Sequence, residues 1–227
     1  METFLNARIP CLSGLLLASL ALAACSTASD SGAPAVTAES SAPAAAAGPA
    51  AEQVDPGLIA DPRFEIAGVN VPLQHWKLYQ HAGEASFEMR VEGNEVSLRR
   101  IGVEPWGTIE QAMPADALVG KTLEWSAELW GELGEARGEA FDATGLAVTV
   151  MGFGPHDLPM MGARHLLTQS SEPSLSTGPV ARQRYAVRFV VPEGRELELK
   201  LALQLTRDGE LHMRAPSLRV IEDAAAP

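Results

Sequence analysis

Between Val54 and Asp223 the chain alternates apolar and polar residues in short runs broken by Gly, Pro and Asp, without the three-and-four apolar spacing of an amphipathic helix. The clearest run is "LELKLALQLTRDGEL". It sets Leu197, Leu199, Leu201, Leu203 and Leu205 on one face and Glu196, Glu198, Lys200, Gln204 and Thr206 on the other. Asp208-Gly209 then reads as a hairpin turn. The same alternation in "SFEMRVEG", "LEWSAELWGEL", "LAVTVMG" and "RYAVRFVVP" predicts further strands, with Phe87, Met89 and Val91 turned inward in the first. About ten strands of this length with Gly and Pro turns predict an all-β fold, an antiparallel two-sheet sandwich of the jelly-roll kind. A closed barrel of the same strands is the alternative.

Upstream the texture changes. Residues 26–53 are almost all Ala, Ser, Pro, Gly and Thr, a composition that cannot bury enough apolar surface to offset the entropy of ordering. We read this segment, together with Cys25, as a tether; a flexible chain of about 28 residues spans about 30 Å. Before it, Ile9 to Leu22 is mostly apolar and too short for the roughly 20 residues that cross a bilayer, and Leu22-Ala23-Ala24-Cys25 ends it in small residues and a cysteine. That ending resembles a bacterial lipobox. The resemblance implies a signal peptide over residues 1–24, cleavage after Ala24, and acylation of the Cys25 thiol and its new amino group. Ser26 in the next position resembles an outer-membrane sorting signal rather than the retaining Asp. The lipid bilayer, reached through acylated Cys25, is therefore an expected partner, and the bacterial cell envelope at the outer membrane, facing the periplasm or the surface, the expected location. The remaining chain divides into a β-sandwich domain over 54–223 and a short tail over 224–227.

Charge and cysteine content narrow the chemistry. The net charge is −12 with no basic block, which disfavours nucleic acid because counterion release needs clustered Lys and Arg. Cleavage would remove Glu2 with Arg8 and also Cys11, so the mature charge is unchanged and the domain keeps no free thiol. A disulfide, a cysteine nucleophile and a thiolate metal site are all excluded on that count.

Several segments recur in the order seen in a known fold family: "DPRFE" (Asp61 to Glu65), Trp76, "EVSLRRI" (Glu95 to Ile101), "PWGTIEQAM" (Pro105 to Met113), "LVGKTLEWSAELW" (Leu118 to Trp130) and "GELHMRAPSLRVIED" (Gly209 to Asp223). This order resembles galactose-binding-like jelly rolls such as the carbohydrate-binding modules. The resemblance implies that fold, and a glycan as the class of partner. Those modules often hold a structural calcium with a carboxylate of a closing Asp-Asp-Val. Here Ala215-Pro216-Ser217 stands in its place, so no cofactor is expected.

No catalytic spacing is present: the chain lacks a Gly-x-Ser-x-Gly elbow, His-Glu-x-x-His and Ser-x-x-Lys. Glu128 and Glu132 share a strand face and mimic a glycosidase carboxylate pair, but a solvated strand face is the simpler reading in an acidic chain. On that face Trp130 stands among Glu124, Glu128 and Glu132, opposite Leu123, Trp125, Ala127 and Leu129. A flat indole beside hydrogen-bonding groups suits the apolar side of a sugar ring, which makes Trp130 and Glu128 candidate carbohydrate-binding residues. Trp106, in the loop "VEPWG", is a second candidate. Alternatively, Trp130 covers a sheet edge or packs under the tether, and Trp106 plugs one end of the sandwich. Residues 155–179 read as one long connection, a length that usually carries function. Within it His156, Met160, Met161 and His165 offer donors that Cu(I) accepts, although methionines also fill gaps in irregular loops. The sequence thus points to a non-catalytic, membrane-anchored glycan-binding sandwich. A periplasmic copper protein and a structural envelope component are the alternatives. Replacing Cys25 with Ala should release the protein from the membrane fraction; a variant that still pellets with membrane and still takes up labelled fatty acid would refute the lipobox reading.

Overall fold

The computed structural model describes residues 57–136, 143–158 and 162–221; Cys25, the tether, Met160 and Met161 lie outside them. Eleven strands follow one another: β1 (Gly68–Val69), β2 (Lys77–Gln80), β3 (Phe87–Glu92), β4 (Glu95–Arg100), β5 (Gly107–Pro114), β6 (Thr122–Ala136), β7 (Gly145–Phe153), β8 (Arg164–Ser170), β9 (Gly178–Val190), β10 (Arg195–Leu205) and β11 (Arg207–Val220). Among the described residues one 3₁₀ turn, Asp116–Leu118, precedes β6. The strands form a six-stranded sheet, β1-β3-β4-β11-β6-β9, and a five-stranded sheet, β2-β5-β10-β7-β8. Every ladder between them is antiparallel. The fold is an all-β two-sheet sandwich, not a closed barrel.

The core follows the period of two. Leu199, Leu201, Leu203 and Leu205 of β10 are all 0% exposed. Leu123, Trp125, Ala127 and Leu129 of β6, in the other sheet, are equally buried, as are Leu146, Val148 and Val150 of β7. Each inner face is apolar because its outward neighbours take the charge, which is the condition for two sheets to stack about 10 Å apart. The residues before β2 close the core. Phe64 and Trp76 pack with ring centroids 5.4 Å apart, and Trp76 lies 6.3 Å from Trp125. Trp76 Nε1 donates to the Asp61 carbonyl at 3.1 Å. Gln111, buried on the inner face of β5, fastens this segment with two bonds: it accepts from Ala60 N at 2.9 Å and donates to the Ala60 carbonyl at 2.7 Å. A bond is thereby supplied to each backbone group of a residue outside both sheets.

Two expectations are corrected. Asp208-Gly209 is no hairpin turn, because β10 and β11 belong to different sheets and the chain crosses between them at Thr206. Thr206 is buried there against Thr144, with hydroxyl oxygens 2.8 Å apart. Gly209 instead lies within β11, where φ is +108° and an added Cβ would meet the Glu132 carbonyl at 2.1 Å. Backbone approach, not turning, requires the glycine. Residues 155–179 are not one connection either, since Arg164–Ser170 forms edge strand β8 on β7. A register shift between Val150 and Met151 breaks the ladder, and Leu166 and Leu167 are both half-buried. Adjacent half-buried leucines erase the alternation by which a strand is recognised.

Leu201 faces Gln111 on one side and Val148 on the other, at the centre of its sheet. Leu201→Ala should cost about 2–5 kcal/mol in denaturant unfolding. A loss below about 1 kcal/mol would mean that the cavity collapses or that the face is not core.

Candidate functional site

The outer face of the six-stranded sheet is a lattice of paired charges. Arg188 Nε lies 2.8 Å from Glu124 Oε2, Arg182 Nη2 2.8 Å from Glu128 Oε2 and Arg99 Nη2 2.9 Å from Glu88 Oε1. Trp130 is half-buried on this face, on β6, one strand in from the β9 edge. On its β11 side His212, its direct cross-strand partner, stacks on the indole with centroids 5.2 Å apart and planes 12° from parallel. On its β9 side a bulge sets Ala181 and Arg182 opposite the single residue Trp130, and the Arg182 guanidinium lies 4.1 Å from the ring centroid. Arg182 is the same group that holds Glu128. Trp130 and Glu128 are therefore brought together, and each is already in contact with its neighbours.

Trp106 is placed elsewhere, in the connection before β5 of the other sheet. That connection is shaped by buried Arg100, which donates to the carbonyls of Glu104, Pro105 (2.7 Å) and Arg207 (3.0 Å) and lies over the Phe87 ring at 4.7 Å. Trp106 meets His81 edge-on at 6.1 Å. Glu104 Oε2 sits 3.0 Å from His81 Nδ1 and accepts from Ala82 N at 3.1 Å. The loop end holding Trp106 also exposes Ile101 and Val103.

The copper candidates are divided. His156 is exposed just after β7, and His165 is exposed on β8 with Met151 as its cross-strand partner. Between the two histidines the chain is clamped by Asp157, which accepts from Arg164 Nε at 2.7 Å and Gly154 N at 2.6 Å. The hydrogen bond from Arg164 and then that from Gly154 N hold the Asp157 carboxyl below the usual carboxylate range. Arg195 completes the clamp by donating to the Asp157 carbonyl at 2.7 Å.

The outer face of the five-stranded sheet has a different relief. Cross-strand register aligns Lys77, Glu110, Ala202, Ala147 and Ser170 in one row, and Ala112, Lys200, Thr149 and Thr168 in the next. Small side chains at Ala112, Ala147, Thr149 and Ala202 leave a low floor, with Ala147 and Ala202 nearly closed to solvent by their neighbours. Lys200 stands over it, with Nζ 3.4 Å from Glu110 and 3.5 Å from Glu198. Partial burial alone would lower the Lys200 pKa, but the two carboxylates outweigh it and the net shift is upward. Beside this network Gln74, His75, Lys77, Tyr79, Glu110 and Ala112 line a depression of about 140 Å³. Tyr79, 45% exposed, stands at its wall. These residues escaped the sequence reading because β2 is four residues long, and only the pair Lys77 and Tyr79, two apart, signals a shared outer face.

No protein family and no curated protein matches the chain in sequence. Among solved structures, an enzymatically active domain of bacteriophage CBA120 tailspike protein 4 is similar at a TM-score of 0.47 and 12% identity, over 73% of this chain. This chain spans only 22% of that one. A module titled "CBM4 structure and function" is similar at a TM-score of 0.43 and 13% identity, over 72% of this chain and 99% of the module. The CBM22-1 xylan-binding domain of Paenibacillus barcinonensis Xyn10C is similar at 0.42 and 10% identity, over 70% and 97%. At these scores the likenesses carry no argument about ligand, and the functional reading rests on this chain's own residues.

Because the folded-state pKa of Asp157 is depressed, its contribution is complete above the unfolded value of about 3.9 and is lost as pH falls through the lower folded one. The Gly154 amide should therefore keep its exchange protection down to about pH 4 and lose it below, and Asp157→Asn should remove this acid transition. Unchanged protection of Gly154 in the variant at neutral pH would show that the clamp does not order the turn.

Proposed function

We propose that this chain is a lipid-anchored envelope protein whose β-sandwich binds glycan without catalysis, on the outer face of the five-stranded sheet. The observation that carries the reading is the depression beside Tyr79. It offers one exposed aromatic ring, amide, imidazole, ammonium and carboxylate groups within reach, and a low floor of small side chains running on across β10 and β7. At about 140 Å³ it is smaller than the ~300 Å³ at which pockets for drug-sized ligands begin, which suits one ring of a chain whose other rings lie along the floor. A sugar ring stacks its C–H face on tyrosine while its hydroxyls take polar partners at the rim.

Trp130, Glu128 and Trp106 have secondary places in this reading. A sugar at Trp130 would have to displace Arg182 or His212 from the ring, and Trp106 lies toward the end of the sandwich that carries the 101–106 loop. Anchoring is supported by Leu22-Ala23-Ala24-Cys25 and the following tether, with Ser26 directing the protein to the outer membrane.

A glycan array with the full chain in detergent should give specific hits. Tyr79→Ala should weaken them by about tenfold or more, while Trp130→Ala keeps them and costs about 1–2 kcal/mol of stability through lost stacking and cation–π contact. If Trp130→Ala abolishes the hits and Tyr79→Ala spares them, the binding face is the six-stranded one.

A further inference from the structure

Cations on this protein are mostly matched. Arg99, Arg182 and Arg188 pair with Glu88, Glu128 and Glu124, Arg164 pairs with Asp157, and Lys200 is held between Glu110 and Glu198. Among the described residues, Arg63, Lys77, Lys121 and Arg214 make no ion pair or side-chain hydrogen bond. Of these only Lys77 lines the depression, two residues from Tyr79 and on the same face of β2. Its cross-strand neighbour Glu110 directs Oε1 to Lys200 Nζ instead, at 3.4 Å. Lys77 is thus the one cation of the depression's lining, beside the exposed Tyr79, and the Glu110 carboxylate next to it is engaged by Lys200, so the ammonium is left to meet an anion of the ligand. Resting on the glycan reading, we propose that the ring seated against Tyr79 is an anionic sugar, whose carboxylate or sulfate ester is met by Lys77 Nζ.

The chemistry suits the position. An ammonium is a compact charge with three donors on a flexible stem, so it can follow an acidic substituent while the ring keeps its stacking contact. Charge-assisted hydrogen bonds of this kind are about twice as strong as neutral ones. Gln74 and His75 at the rim offer further donors to the same oxygens. Because Lys77 is exposed, the preference must be sensitive to salt, since ions screen an exposed pair within about a Debye length.

The test compares three probes on the full chain in detergent by calorimetry: oligogalacturonate, the same oligomer with its carboxyl groups reduced to alcohols, and a sulfated galactan. At about 20 mM salt the acidic oligomer should bind about tenfold more tightly than its reduced form, and near 300 mM the two should converge. Binding of the sulfated probe alone would assign the sulfate ester as the anion. Lys77→Met should remove the preference for the acidic oligomer, Lys77→Arg should keep it, and Lys121→Met should change nothing. Equal affinity for acidic and reduced oligomers would overturn the proposal while sparing the glycan reading, as would a preference that survives Lys77→Met. Failure of all three probes, with hits on neutral sugars elsewhere on an array, would also overturn it; failure on every glycan would overturn both.

Discussion

Everything in this molecule depends on the packing of two apolar sheet faces, the β10 leucine row on one side and the Leu123-to-Leu129 row of β6 on the other. Both rows are closed to solvent, and both lie in long strands at or next to the middle of their sheets. A single sheet with one apolar face would not persist in water, so the pairing is what makes either sheet stable. It also fixes what the outer faces can be. Once odd-numbered residues of β6 and β10 point inward, the even-numbered ones face outward, and the two sheets use those positions differently.

On the six-stranded sheet they form arginine–glutamate pairs, individually weak, that tie β3 to β4 and β6 to β9 across the strands. Trp130 belongs to that lattice, fixed between Arg182 and His212. On the five-stranded sheet the outward positions are mostly small, and the few long ones gather on β2, β5 and β10. The first face is largely covered by its own ion pairs and stacked rings, Arg214 excepted, and the second has room beside the unpaired Lys77. That contrast, more than any single residue, locates the proposed binding surface.

Crossings between the sheets need local devices, because a strand that leaves its ladder must find other partners for its backbone. Thr206 and Thr144 serve at the β10–β11 crossing, Gln111 serves the segment around Ala60, and Arg100 gathers three carbonyls at the mouth of the 101–106 connection. These polar groups are buried or nearly so, which follows from where the backbone has no sheet to join.

The amino-acid sequence by itself determined the strand texture and the inward faces, because the period of two is a local property and Leu197 to Leu205 or Phe87, Met89 and Val91 display it without help. It likewise made the Trp130 face polar, since Glu124, Glu128 and Glu132 share its parity. What it left open was anything set by pairing between distant segments. A bulge in the neighbouring strand β9 brings Arg182 over Trp130, the separation of β10 from β11 turns Asp208-Gly209 from a turn into strand, and an irregular ladder hides β8. The depression beside Tyr79 is of the same kind. Lys77, Glu110 and Lys200 are far apart along the chain and become neighbours only when β2, β5 and β10 align, because a site on a sheet face is made across strands, where local sequence carries no record of register.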